Sequence, residues 1–206
     1  MKSLPEYFIK ICGLTQQGDV EHAITSGATA VGFIFAPSSR QVSIEQAQTL
    51  SNVVGPVIRV GVMKDLSEVE ILDVVANVDL DAVQLHDEPN QTLVTNLRSK
   101  GLYIFAVHHQ GGWLPHSLSE YSALLIDNPV PGSGQQNDFS FVETLGLKIP
   151  VILAGGLNPE NVGDAITEFR PYGVDVSSGV ESSPGSKDLR KVSAFVTMAL
   201  RAFEDQ

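Results

Sequence analysis

Phe8-Ile9-Lys10-Ile11-Cys12-Gly13-Leu14-Thr15 is a short apolar run that stops abruptly at the only cysteine of the chain and a glycine. Side chains alternate across a strand, so Lys10 and Cys12 share one face while Ile9 and Ile11 share the other. The pattern recurs along the chain. Apolar runs follow at residues 30–35, 57–62, 82–85, 102–107, 123–126, 151–154 and 174–177, with turn-forming or polar residues after them. Helical periodicities stand between the runs: Val20, Ala23 and Ile24 within 16–26, Ala47 and Leu50 behind a Ser43 N-cap, then 66–76, 92–99, 158–169 and about 187–203. The segment 113–120 is a weak helix at best.

With Cys12, Phe35, Val62, Leu85, Val107, Asp127, Ala154 and Ser177 taken as strand ends, successive units are 20 to 27 residues long. Apolar strands alternating with helices indicate a parallel sheet covered on both faces, and eight such units suit closure into a (β/α)8 TIM barrel. An open doubly wound sheet is the alternative. No linker or composition break divides residues 1–206, so a single domain is expected. In a barrel of this kind the functional residues sit at the C-terminal ends of the strands, which turns position into a filter.

Composition narrows the function. The 13 basic and 24 acidic residues leave a net charge of -11, which argues against a nucleic-acid-binding face. No apolar run reaches the roughly 18 residues of a membrane helix, and no secretory leader is evident, so a soluble cytoplasmic protein is expected. One cysteine cannot form an internal disulfide or a cysteine-based metal site; Cys12 is either inert packing or a reactive thiol. His86, His108, His109 and His116 show no metal-ligand spacing and read as surface or core polar groups.

Several strand ends carry further signals. If Cys12 faces the barrel interior, so does Lys10, and an ammonium there needs a carboxylate; Asp175 on the last strand becomes its neighbour on closure. In Ala154-Gly155-Gly156-Leu157-Asn158-Pro159, the glycines let backbone approach a ligand, Asn158 can cap a helix, and Pro159 fits its first turn. Ser177-Ser178-Gly179 lies one unit later, and the loops after strands seven and eight are the usual phosphate site of such barrels. Asp127 ends strand six before a Pro/Gly-rich loop, where it either acts chemically or initiates the turn. Arg40 either forks onto a carboxylate or decorates its loop.

Lys10-Ile11-Cys12-Gly13-Leu14-Thr15, Gly32-Phe33-Ile34-Phe35, Val83-Gln84-Leu85-His86, the Gly132-Ser133-Gly134 loop, AGGLNPENV from Ala154 and GVDVSSGVE from Gly173 together resemble the phosphoribosylanthranilate isomerases of tryptophan biosynthesis. The match is ordered and spans almost the whole chain. It implies a cofactor-free, metal-free Amadori rearrangement of a phosphoribosyl substrate, with Cys12 as general base and Asp127 as general acid. Arg40 would take the anthranilate carboxylate, Asp175 would lie near the bridging nitrogen, and Gly155, Gly156, Ser178 and Gly179 would hold the phosphate. Such a base calls for a modestly depressed thiol pKa and such an acid for a raised carboxyl one. The chain departs from the family where GGTGKTFDW is usual, with Gln135 replacing the lysine, and at His86-Asp87-Glu88. Another phosphosugar barrel, such as an epimerase or the histidine-pathway isomerase, is the second reading, although those relatives generally place a carboxylate where Cys12 stands. A non-catalytic phosphoribosyl binder is the third, and the state, monomer or homodimer, is left open.

Overall fold

Eight strands run parallel and close on themselves in sequence order: β1 Phe8–Cys12, β2 Ala30–Ile34, β3 Ile58–Met63, β4 Ala82–Leu85, β5 Tyr103–His108, β6 Ala123–Ile126, β7 Val151–Leu153 and β8 Gly173–Val176. The computed structural model describes residues 3–52, 55–109, 112–127, 139 and 146–206. β8 pairs back onto β1 with Lys10 opposite Asp175, and β2 sets Gly32 opposite Cys12. The fold is the TIM barrel expected from the strand spacing. Every expected strand end lies within one residue of an observed one.

The alternation of side chains separates two cores. Phe8, Ala30, Ile58, Val60, Phe105 and Ile152 fill the barrel interior, and Phe8 meets Phe105 edge to face at 5.3 Å between centroids. The opposite strand faces, Ile9, Ile11, Val31 and Phe33 among them, pack beneath the surrounding helices. Burying each such side chain contributes roughly 1.5–3 kcal/mol, and this double burial is why the strands read as continuous apolar runs.

The described α-helices are α1 Gln17–Thr25, α2 Ile44–Ser51, α3 Glu68–Asn77, α4 Gln91–Ser99, α5 Val162–Phe169 and α6 Leu189–Glu204. Ser43 with Gln46 and Ser67 with Glu70 form reciprocal capping boxes that fix the starts of α2 and α3. α6 turns Val192, Phe195, Val196, Ala199 and Phe203 inward at helical spacing, and Asp188 caps it by accepting from the Arg190 and Lys191 amides. Among the described residues no helix is long and apolar enough to cross a membrane.

Three local expectations need correction. The weak segment after β5 contains a single 3-10 turn, Leu118–Glu120. α5 begins at Val162 rather than at Asn158, because the Asn158 side chain accepts from the Glu160 and Asn161 amides and holds a separate turn ahead of the helix. A hairpin of β9 Glu181–Ser183 and β10 Ser186–Lys187 precedes α6, where no strand is expected. The Gly132-Ser133-Gly134 loop and Gln135 lie outside the described residues.

Candidate active site

Cys12 ends β1 with its side chain turned inward and only 6% exposed. Gly13 then adopts a left-handed φ of 71°, and the Gly13 and Leu14 amides both donate to the Gly32 carbonyl, at 2.9 and 3.1 Å. This turn brings the chain over the rim. A side chain at Gly13 would begin 2.8 Å from Arg40 Cδ, so the glycine also gives Arg40 its path across the turn.

Lys10 lies one inward position below Cys12 and is fully buried. Its ammonium donates to Asp175 Oδ2 and to Gln84 Oε1, each at 2.8 Å, so the ion pair expected from closure of the barrel is present. Burial works to lower the Lys10 pKa, but Asp175 and the Cys12 sulfur hold it above its ordinary value. For Cys12 the balance goes the other way. Burial pushes the thiol up, against the pull of the Lys10 ammonium, which corrects the expectation of a modestly depressed value in the unliganded site.

Gln84 transmits the arrangement across the barrel floor. Since its carboxamide oxygen takes the ammonium proton, its nitrogen faces His86 Nε2, 3.0 Å away, and must donate to it. His86 therefore carries its proton on Nδ1 and is neutral. Burial, with the nearby Lys10 charge, lowers its pKa to about 4. The Trp113 indole donates to the His86 carbonyl at 2.8 Å, and His108 Nδ1 meets the Trp113 carbonyl at 2.8 Å, so the segment after β5 packs on the end of β4.

Asp127 follows β6 directly, and the alternation that turns Ala123 and Leu125 inward turns it inward too. Its backbone amide donates to the His108 carbonyl at 2.9 Å, and the residue is half-buried. On the last strand Asp175 and Ser177 share the inward face. Asp175 Oδ1 and Ser177 Oγ are buried there without a hydrogen-bond partner among the described residues. Buried polar atoms are normally satisfied, so the pair points to a ligand that completes them.

Gly155 and Gly156 both take left-handed φ, 85° and 77°, which only glycine adopts readily. Asn161 secures the turn after them by donating to the Gly156 carbonyl at 3.0 Å and accepting from the Asn158 amide at 2.8 Å. Gly179, in the 3-10 turn Ser178–Val180, presses on this loop so closely that a Cβ there would lie 1.9 Å from the Leu157 carbonyl oxygen. No described acceptor takes the amides of Gly155, Gly156, Ser178 or Gly179. They form two adjoining sets of free donors of the kind that hold anions.

Arg40 forks onto Glu181, Nε to Oε1 and Nη2 to Oε2, both at 2.7 Å. The Lys187 ammonium donates to the same Glu181 Oε1 at 2.9 Å and to the Ser177 carbonyl at 3.1 Å. Burial works to raise the Glu181 carboxyl, yet the Arg40 fork and Lys187 hold it below the ordinary value. Sequence reasoning had no role for Glu181 or Lys187, met Gln84 only in a motif, and placed Ser177 only in the phosphate-type turn. For Gln84 and Ser177 the strand alternation was signal enough; for Glu181 the hairpin that positions it was not readable. Among the described residues no group of three or more His, Cys, Asp or Glu could hold a metal ion.

A family model described as N-(5'phosphoribosyl)anthranilate (PRA) isomerase matches residues 9–198. The chain is 44% identical over 189 residues to N-(5'-phosphoribosyl)anthranilate isomerase of Streptococcus pneumoniae strain Hungary19A-6, covering 91% of this chain and 93% of that one. Phosphoribosyl anthranilate isomerase from Thermus thermophilus superposes with a TM-score of 0.83 at 33% identity, over 94% and 98% of the two chains. A phosphoribosyl anthranilate isomerase crystallised with reduced 1-(o-carboxyphenylamino)-1-deoxyribulose 5-phosphate superposes at 0.80 with 34% identity, over 95% and 99%. The rim built from β1, β6, β7 and β8 thus stands in a chain that belongs to the phosphoribosylanthranilate isomerases, enzymes of tryptophan biosynthesis.

Proposed function

We propose that this rim converts N-(5-phosphoribosyl)anthranilate into 1-(2-carboxyphenylamino)-1-deoxyribulose 5-phosphate with Asp127 as general acid and Cys12 as general base. Asp127 protonates the furanose ring oxygen as its bond to C1 breaks, and the anthranilate nitrogen lone pair forms the C1=N bond. Cys12 then removes the C2 proton, and the C2–H electrons form C1=C2 as the iminium is neutralised. The enolamine becomes the ketone when the C2 hydroxyl loses its proton and C1 gains one. Proton transfers of this kind require an acid and a base on different sides of one substrate.

The observation that carries the reading is the pair of orphaned buried atoms, Asp175 Oδ1 and Ser177 Oγ, between Cys12 and the free amides of two glycine loops. The phosphate sits against Gly155, Gly156, Ser178 and Gly179. Asp175 Oδ1 accepts from the bridging amine. Arg40 keeps Nη1 outside its Glu181 fork and offers it to the anthranilate carboxylate. The product analogue held by a relative supports this choice of substrate. The unit acts as a single catalytic domain in the cytoplasm.

The test supplies phosphoribosylanthranilate to the wild type, Cys12→Ala and Asp127→Asn. Turnover is expected in the first, with losses of at least about 100-fold in each variant. Unchanged rates in both variants would remove the assignment of acid and base.

A further inference from the structure

A fully buried lysine at the floor of an active site calls for a reason beyond stability, since a buried ion pair is often no better than apolar residues of the same volume. Lys10 has two placed acceptors, Asp175 Oδ2 and Gln84 Oε1, and an ammonium has three protons. Its third proton meets no oxygen among the described residues. The Cys12 sulfur, one inward position above, is the other group that interacts with it. Gly32 shows how close the two groups come: a Cβ at that position would lie 2.8 Å from Lys10 Cε and 2.9 Å from Cys12 Sγ. The missing side chain of Gly32 leaves the Lys10 stem and the Cys12 sulfur on either side of one small gap.

We propose that Lys10 is the positioning residue of the proton-transfer step: its ammonium, clamped between Asp175 and Gln84 beneath the thiol, is the counter-cation against which the Cys12 sulfur gives up its proton. This rests on the reading of Cys12 as base.

The other charges facing the sulfur are Asp175 from β8, Lys187 from the hairpin and Arg40 from the loop after β2. Lys187 is engaged by Glu181 and the Ser177 carbonyl, and the Arg40 fork is closed on Glu181. His86 adds no charge, because Gln84 holds it as the neutral Nδ1–H tautomer. Lys10 is left as the cation whose charge is compensated from one side only. Its single carboxylate partner, Asp175, also acts on the sulfur, so Asp175 and Lys10 act on it with opposite sign.

That opposition provides the test. Cys12 is the only cysteine, so the pH dependence of iodoacetamide alkylation, followed by mass spectrometry, reports this thiol alone. In Lys10→Gln the titration is expected to move up by one pH unit or more, which slows alkylation at a fixed pH below the midpoint by about tenfold or more. In Asp175→Asn it is expected to move down. The pH profile of kcat should move with the thiol in Lys10→Gln, which a merely structural lysine would not produce. A wild-type titration in Lys10→Gln, or shifts of the same sign in both variants, overturns the proposal. If Lys10→Gln does not fold, the direction of the Asp175→Asn shift decides alone. The readout needs no turnover: an unshifted thiol beside a dead Cys12→Ala removes Lys10 and leaves the base, whereas opposite shifts beside an active Cys12→Ala remove the base and leave the ion pair.

Discussion

Replacing Gly179 by alanine tests whether the phosphate is held between two loops rather than on one. The added Cβ would stand 1.9 Å from the Leu157 carbonyl oxygen and 3.1 Å from Asn158 Cβ. A carbon and an oxygen approach to about 3.3 Å at closest, so the loops must part by roughly 1.4 Å. The loop after β7 will not yield easily, because Leu157 is seated in the outer core and Asn158 is tied to Asn161. Val180 is seated in the same core, so whichever loop yields, the amides of Ser178 and Gly179 move apart from those of Gly155 and Gly156. Misplacing a binding group by about 1 Å can cost on the order of 100-fold, and that loss is expected in kcat/KM for phosphoribosylanthranilate, largely through KM. Steady-state kinetics with inorganic phosphate as competitor measures it, and weaker phosphate inhibition should accompany the higher KM. Overpacking of this size also costs about 1–3 kcal/mol of stability, so a lower melting temperature is expected too. A Gly179→Ala enzyme with kcat/KM and phosphate inhibition within threefold of wild type would refute the two-loop site.

The floor of the site supports two further predictions. Lys10→Met should cost about 3–5 kcal/mol in chemical denaturation because it strands the Asp175 carboxylate, and adding Asp175→Asn should restore at least half of that loss; strictly additive losses would contradict the pairing seen at 2.8 Å. His86 should impose an acid limb on stability. Its folded pKa of about 4 lies below the ordinary 6.5, so its contribution is fully present above pH 6.5 and is lost as pH falls toward 4. The loss amounts to about 3 kcal/mol, and denaturation across this window should show a shallower pH dependence in His86→Asn, with equal slopes counting against a His86 held neutral by burial.

Much of this was legible in the sequence because strand parity is a strict rule. Lys10 and Cys12 share a face whatever surrounds them, and barrel closure leaves Asp175 as the neighbour of Lys10. Gly155 and Gly156 were marked by residue type alone, since the left-handed backbone they adopt selects glycine. The failures came where side chains rather than periodicity decide the backbone. Asn158 looked like a helix cap, but Asn161 three residues later offered it a tighter local partner and delayed the helix. Arg40 could not be paired in advance, since Glu181 is 141 residues away on a hairpin shorter than any pattern that periodicity resolves. The direction of the Cys12 pKa was also out of reach, because it depends on how completely neighbours exclude water from the sulfur.

The two halves of the barrel interior divide the work that parity gives them. Below, Phe8, Ala30, Ile58 and Phe105 form a dry layer that side chains alone fill. Nearer the rim, Lys10 on β1, Gln84 on β4 and Asp175 on β8 occupy inward positions where an ordinary barrel would place Val, Ile or Leu. An apolar replacement there would leave no buried charge to compensate, so the polar layer is not explained by folding stability. It sets the charges beneath Cys12 instead. Burial holds the proton on the Cys12 sulfur against the pull of Lys10, while Asp175 and the sulfur together hold Lys10 charged against its own burial. Cys12, Lys10 and Asp175 are therefore one electrostatic unit. The thiol at the end of β1 cannot be understood from its own strand, because the charges that act on it include one from the strand that closes the barrel.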